Sequence, residues 1–320
     1  MSYFTGTVTS LSELKNVIEA ACQTDGWLLH NGILSKGKMY VKLSVENVNV
    51  MNGAGSGQSI FLYGGTGQNE TITNGQLEGV LTGQAEIPVC LGTRMNNNVV
   101  SSLIFPLIYH IFSFENEVFI VIRYENTKFQ RLAFGQSIVN ELKGSGNWIS
   151  GSLSRNMRNG TSSMNGSFSI TSTSGGSSSA YTSGAMFYNT QISGSSKTDM
   201  LDHGFDQVEN WSLYSSSTAI GISALVPLIG LLPNDWNSEA VLLPIRAYVI
   251  RPQSKVSLVA DLENARHTRI DHFEPGQIIT LGNDKWMIFP WIEKNTSVRN
   301  GGTNIDHSGT FGWAVRYEGD

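Results

Sequence analysis

Two histidines, His267 and His272, with Asp271 beside the second, come nearest to a metal-ligand set in this 320-residue chain. Zinc needs four converging ligands, and in a strand or turn this spacing does not bring both imidazoles to one side. No third or fourth ligand stands nearby. His203, with Asp202 and Asp206, could form a surface cation site. For both groups, hydrogen-bonded or solvated histidines are the favoured reading. A glycosidase needs two carboxyl groups held across a cleft, and Asp235, Glu239, Glu293 and Asp306 cannot be paired by spacing. Trp286, Trp291 and Trp313 have rings that could stack on sugars, but they sit in alternating strand patterns that suit a core or an intersubunit contact. Gly53, Gly55 and Gly57 have the wrong spacing for a dinucleotide loop, and a strand follows where a helix is required. The sequence contains no Gly-x-Ser-x-Gly elbow, phosphate-binding loop or His-Glu-x-x-His pair. Cys22 and Cys90 lie among apolar residues and read as buried free thiols. These residues assign no catalytic group, cofactor or metal, and the chain is expected not to be an enzyme.

The composition points the same way. Apolar residues make up 40% and charged residues 15%, both below ordinary globular usage, and 34 glycines with many Ser, Thr and Asn fill the deficit. Glycine and Asn reach positive φ while Ser and Thr bond locally to backbone, which suits many short strands with long turns. A net charge of −5 argues against a general phosphate-binding surface, so nucleic acid is not an expected ligand. No run of eighteen apolar residues exists to span a membrane. The start, MSYFTGTVTS, lacks the basic and apolar regions of a secretion signal, which makes synthesis in a cytoplasm the expectation.

The elements that must position any site follow from periodicity. Ser10-Leu11-Ser12-Glu13 reads as a capping box; Leu11, Leu14, Val17, Ile18, Ala21 and Cys22 share a helical face, and Asp25-Gly26 ends the helix. Strands with turns at Asn31-Gly32 and Lys36-Gly37-Lys38 follow. The densest apolar stretch, Phe105 to Val139, is broken at Glu115-Asn116-Glu117 and at Glu125 to Lys128, and so predicts a three-strand meander. Pro244 in the run Ala240 to Ile250 predicts an edge or a bulge. Gly282-Asn283-Asp284 predicts a hairpin, and in the closing strand Phe311, Trp313, Val315 and Tyr317 share one face. The expected fold is mainly β, an antiparallel sheet or sandwich body with one N-terminal helix.

From Lys143 to about Asp199 the chain is dominated by Ser, Gly, Asn and Thr, with isolated aromatics. Such a stretch reads either as a linker, for want of apolar area to offset chain entropy, or as a long ordered excursion. Trp148, Phe168, Tyr181, Phe187 and Tyr188 favour the excursion and, with Trp291, are the candidate assembly or ligand contacts. The organisation expected is 1–142 as helix plus meander, 143–210 as an extended region, and 211–320 as a β-rich part packed with the first.

Several runs resemble virion structural proteins of tailed bacteriophages. They are the helix ending in Asp25-Gly26-Trp27, Phe105 to His110, Val118 to Tyr124 leading to Phe129 to Gly135, Gly276 to Pro290, and Gly312 to Tyr317. The resemblance covers about half of the chain, and its motifs are structural, so it transfers no functional residue. It implies a virion component that assembles with copies of itself in a ring and with other proteins of the neck, collar, tail or baseplate, the 143–199 segment wrapping a neighbour. A baseplate or fibre-associated module that binds a receptor glycan is the alternative.

Overall fold

The meander is the middle layer of three stacked antiparallel sheets. The computed structural model describes residues 1–49, 56–71, 75–79, 88–96, 99–139, 146–158, 161–165, 185–187, 199–201, 212–213, 219–220, 241–251, 253, 255–294 and 311–319. Strands Leu107–Ser113, Glu117–Arg123 and Phe129–Gln136 pair in sequence order, as their turn residues predict. Ser2–Val8 joins one side of this central sheet, and Asn147–Gly151, Asp199–Leu201 and Ser212–Leu213 extend the other. The sheet therefore runs through the boundary expected near residue 143, because Trp148 and Ile149 supply apolar side chains to its two faces.

Strand Glu117–Arg123 shows why the apolar run is so dense: its first six residues are all buried. Val118, Ile120 and Ile122 face a core shared with the helix and an N-terminal sheet, while Phe119 and Val121 face a second core shared with a C-terminal sheet. A strand buried on both faces loses polar alternation.

The N-terminal sheet contains Leu28–His30, Ile33–Lys36, Met39–Asn49, Ser56–Gly65, Val89–Gly92, Leu153–Arg158 and Thr161–Asn165. Asn31 and Gly32, at φ 50° and 75°, form the predicted tight turn. The helix, Leu11–Thr24, packs against both this sheet and the central one. Ser10 Oγ accepts the Glu13 amide as expected, but the Glu13 carboxylate accepts from Thr9 N and Thr9 Oγ. Among the described residues no helix is long and apolar enough to cross a membrane.

The C-terminal sheet contains Ala219–Ile220, Leu243–Arg251, Lys255–Arg269, Phe311–Tyr317, Asp284–Pro290 and Ile278–Leu281, in that order. The predicted Gly282-Asn283-Asp284 hairpin joins its last two strands. Phe311, Trp313, Val315 and Tyr317 all enter the core against the central sheet. Near Pro244 the pairing slips: Pro244 faces Arg266 and Arg246 faces Asp261, so Leu262 to Ala265 bulge opposite Ile245.

Candidate functional site

The unusual chemistry of this fold lies between the central and C-terminal sheets, where charged groups sit in an apolar interior. Phe119, Trp148, Phe289, Trp291 and Trp313 form an aromatic floor there, with Trp291 stacked on Trp313 at 4.8 Å and 9°. Burial of each such ring stabilises by about 2–3 kcal/mol. Into this layer the strands project Glu117, Arg131 and His267, each at most 1% exposed.

Glu117 opens its strand on the same face as Phe119 and reaches the bulge. Its Oε1 accepts Glu263 N at 3.0 Å, and its Oε2 accepts Asn264 N at 2.8 Å and Asn264 Nδ2 at 3.0 Å. The bulge carbonyls are met by a base: Arg266 Nη1 donates to Leu262 O, Glu263 O and Ala265 O at 2.7, 2.9 and 2.8 Å. The Arg266 guanidinium lies 5.3 Å from the Trp286 ring centre. Backbone groups that leave a ladder inside a protein need other partners, and an acid and a base supply them here. Burial pushes the Glu117 carboxyl up to about 7 against the pull of its three N–H donors.

Arg131 lies with its guanidinium carbon 4.8 Å from the Trp291 ring centre. Its Nη2 donates to Ser150 Oγ at 3.0 Å, and Ser150 Oγ donates to Asp199 Oδ1. The direct Arg131–Asp199 approach, 3.9 Å, is an ion pair beyond hydrogen-bond range. Burial lowers the Arg131 guanidinium to about 10, although the Asp199 charge opposes it.

His267 is stacked on Phe311 and tilted against Trp291. Neither ring nitrogen has a hydrogen-bond partner among the described residues. This corrects the expectation of a hydrogen-bonded or solvated histidine: packing between rings, not polar contact, places it. Burial, helped by the Arg131 charge, holds it down at about 3, so the ring is neutral. His272 is half-buried in the turn beyond. Asp271, between them in sequence, binds the Arg269 fork at 3.0 and 2.9 Å. Lys294 Nζ donates to Ile270 O and to Asp271 O. Among the described residues no group of three His, Cys, Asp or Glu could hold a metal.

The other sequence candidates divide clearly. Trp148, Phe187 and Trp291 are 0, 0 and 1% exposed, so they serve this chain's own core and offer no free face to a partner. The Ser- and Gly-rich surroundings of Trp148 and Phe187 hid this, because the apolar surfaces covering them come from elements distant in the chain. Trp286 and Trp313 are likewise buried. Glu293 accepts from Thr127 Oγ1 at 3.4 Å where a turn of the central sheet meets the C-terminal segment. Cys22 and Cys90 are buried free thiols, the first pushed up by burial. Phe168, Tyr181, Tyr188, His203, Asp202, Asp206, Asp235, Glu239, Asp306, Gly53 and Gly55 lie outside the described residues, as does the linker-or-excursion question for most of 143–199. Glu117 was expected in a turn; it is a strand residue because the bulge, far along the chain, supplies its donors. A charged residue at the head of an apolar run, like Arg131 inside Phe129 to Phe134, was its sequence signal.

On the surface, Asn283, Asp284, Lys285 and Arg316 to Gly319 line an open cleft of about 270 Å³. Its Arg316 is neutralised by Asp284 at 2.9 Å and Glu318 at 3.4 Å. The buried charges, sealed from solvent, fix how two sheets stack. No protein-family model matches the chain, and no curated protein is a significant match.

Proposed function

We propose that this chain is a structural component of a tailed-phage virion, a ring-forming neck, collar or tail protein. One observation carries the ring. Two sheets end, among the described residues, in short edge strands that carry exposed aliphatic side chains: Leu28 at 70% on one, Ile278 and Leu281 at 42 and 38% on the other. An edge strand with apolar side chains is a template for pairing with another chain, and a closed ring of copies would cover such edges without leading to open fibres. The runs that resemble phage virion proteins fall on the helix and on strands of the central and C-terminal sheets. In this reading the partners are copies of the chain and neighbouring virion proteins, with synthesis in the host cytoplasm and residence in the particle.

Light scattering on the purified chain, followed by electron microscopy, tests the reading. The expected result is one discrete oligomer with rotational symmetry, converted to monomer by Leu28→Lys combined with Ile278→Lys. A wild-type chain that remains monomeric and never joins purified virions would overturn it. The glycan-binding alternative gains nothing from Trp286, Trp291 or Trp313, whose rings are buried.

A further inference from the structure

The two-residue turn Asn31-Gly32 joins Leu28–His30, the last strand of the N-terminal sheet, to Ile33–Lys36. The ladder pairs His30 with Ile33 and leaves both turn residues outside it. Asn31 and Gly32 stand at φ 50° and 75°, the two positive values of a type I′ turn. Gly32 is exposed, and a Cβ built on it would meet nothing within 4 Å. A glycine after asparagine leaves its backbone nitrogen unhindered for attack on the preceding side-chain amide.

That attack needs the Gly32 nitrogen beside Asn31 Cγ. It brings the Asn31 ψ to about −120°, the value at the first central residue of a type II′ turn. The positive φ that a II′ turn requires at this residue is already present at Asn31. Between I′ and II′ only the peptide linking the two residues flips, and the glycine whose φ changes sign accepts either. Both turns match the twist of the flanking strands, so the pairing on either side is kept. Gln68 Nε2 donates to His30 O at 3.2 Å and holds the residue before the turn. The oxygen that swings is Asn31 O, against which the Gly75 backbone rests so closely that a Cβ there would lie 2.1 Å away. Loss of that contact is what the flip costs.

We propose that Asn31-Gly32 is a self-modification site whose turn geometry leads from an asparagine to a succinimide, and then to aspartate or isoaspartate. Gly32 N attacks Asn31 Cγ; the N–Cγ bond forms, the Cγ–Nδ2 bond breaks, and ammonia leaves carrying the Gly32 proton. Water then opens the five-membered ring. Opening at the side-chain carbonyl gives aspartate, and opening at the backbone carbonyl gives isoaspartate. Isoaspartate carries the main chain through Cβ and lengthens a loop whose span fixes the register of the pair. Either product adds a negative charge at the end of the strand that exposes Leu28. The three-residue strand Leu28–His30 should therefore loosen from its neighbour as the chain ages. The site belongs to this chain alone and does not depend on the virion reading.

Peptide mapping of the full chain tests it. Native protein and the same protein in urea are aged side by side in mildly alkaline buffer, digested, and read by mass spectrometry, with isoaspartate detected by enzymatic methylation. The map separates Asn31 from the Asn-Gly pairs at Asn52, Asn74, Asn159, Asn165 and Asn300, each of which includes a residue outside the described ones. Asn31 in the native chain should convert within about tenfold of its rate in urea, because a local flip and not global unfolding is the gate. Asn31→Gly keeps a residue suited to the turn and has no amide to cyclise. Hydrogen exchange in residues 28–36 should quicken with age in wild type and stay constant in that variant. These two results together support the site. Native conversion slower than about a tenth of the rate in urea overturns it. So does exchange in 28–36 that changes equally with age in both chains, or in neither.

Discussion

Asn264 donates its backbone N–H to the Glu117 carboxylate at 2.8 Å, across 147 residues of chain. That bond joins the first residue of a strand buried on both faces to a four-residue bulge in another sheet, and Arg266 closes the same bulge from its carbonyl side. The stacking of two layers thus depends on an acid whose charge is costly where it sits.

Stability should carry the mark of that acid. The Glu117 carboxyl lies at about 7 in the fold, against 4.5 for a free glutamate. Between those values the folded chain holds a proton that the unfolded chain has released. Its contribution is complete below pH 4.5 and is lost as pH rises to about 7. Urea unfolding of wild type and Glu117→Gln across this window should show the wild-type advantage shrinking by about 3 kcal/mol. A difference independent of pH would contradict the assignment.

His267 should act in the opposite direction. Its ring stays neutral to about pH 3, while an unfolded histidine takes a proton near 6.5. The folded chain loses stability as pH falls from 6.5. Relative to His267→Phe, wild type should weaken by about 2 kcal/mol between pH 6.5 and 5. His110, also held low at about 4 by burial, adds the same slope to both proteins and cancels from the comparison.

Two glycines should respond unequally to alanine. A Cβ on Gly312 would lie 2.3 Å from Phe289 O and 2.7 Å from Ile270 Cγ2, so one backbone or the other must move. Gly276, at φ 82°, has open space around it, and the cost there is conformational alone. Thermal unfolding should show Gly312→Ala losing about 3 kcal/mol and Gly276→Ala about 1 kcal/mol.

The helix cap gives a local control. Ser10→Ala removes the acceptor of the Glu13 amide and should cost about 1 kcal/mol in urea unfolding. The slopes assigned to Glu117 and His267 should survive unchanged in that variant.

What could be read from the sequence was what neighbouring residues decide. Ser10 with Glu13 marked the helix start, Asn31-Gly32 the hairpin, Pro244 the slip in pairing, and Phe311 to Tyr317 the alternating face, because each signal and its consequence lie within a few residues. The buried seam was hidden for the opposite reason. Glu117 looked like a turn residue because its donors come from Glu263 and Asn264. Trp148 and Phe187 looked like surface aromatics because their ring neighbours are distant in the chain: Trp148 meets Phe119 of another strand, and Phe187 meets Trp148.

The strand Ser2–Val8 finds its partner in Leu107–Ser113, roughly 100 residues later in the chain. Loop closure over that distance costs entropy before any ladder repays it, so folding should be slow for a protein of this size. During synthesis the apolar residues of the helix and the N-terminal sheet must wait for a middle layer that has not yet emerged. Until then the half-made body exposes the strand edges and aliphatic faces that invite aggregation. High-level expression in a cell should depend on chaperone supply.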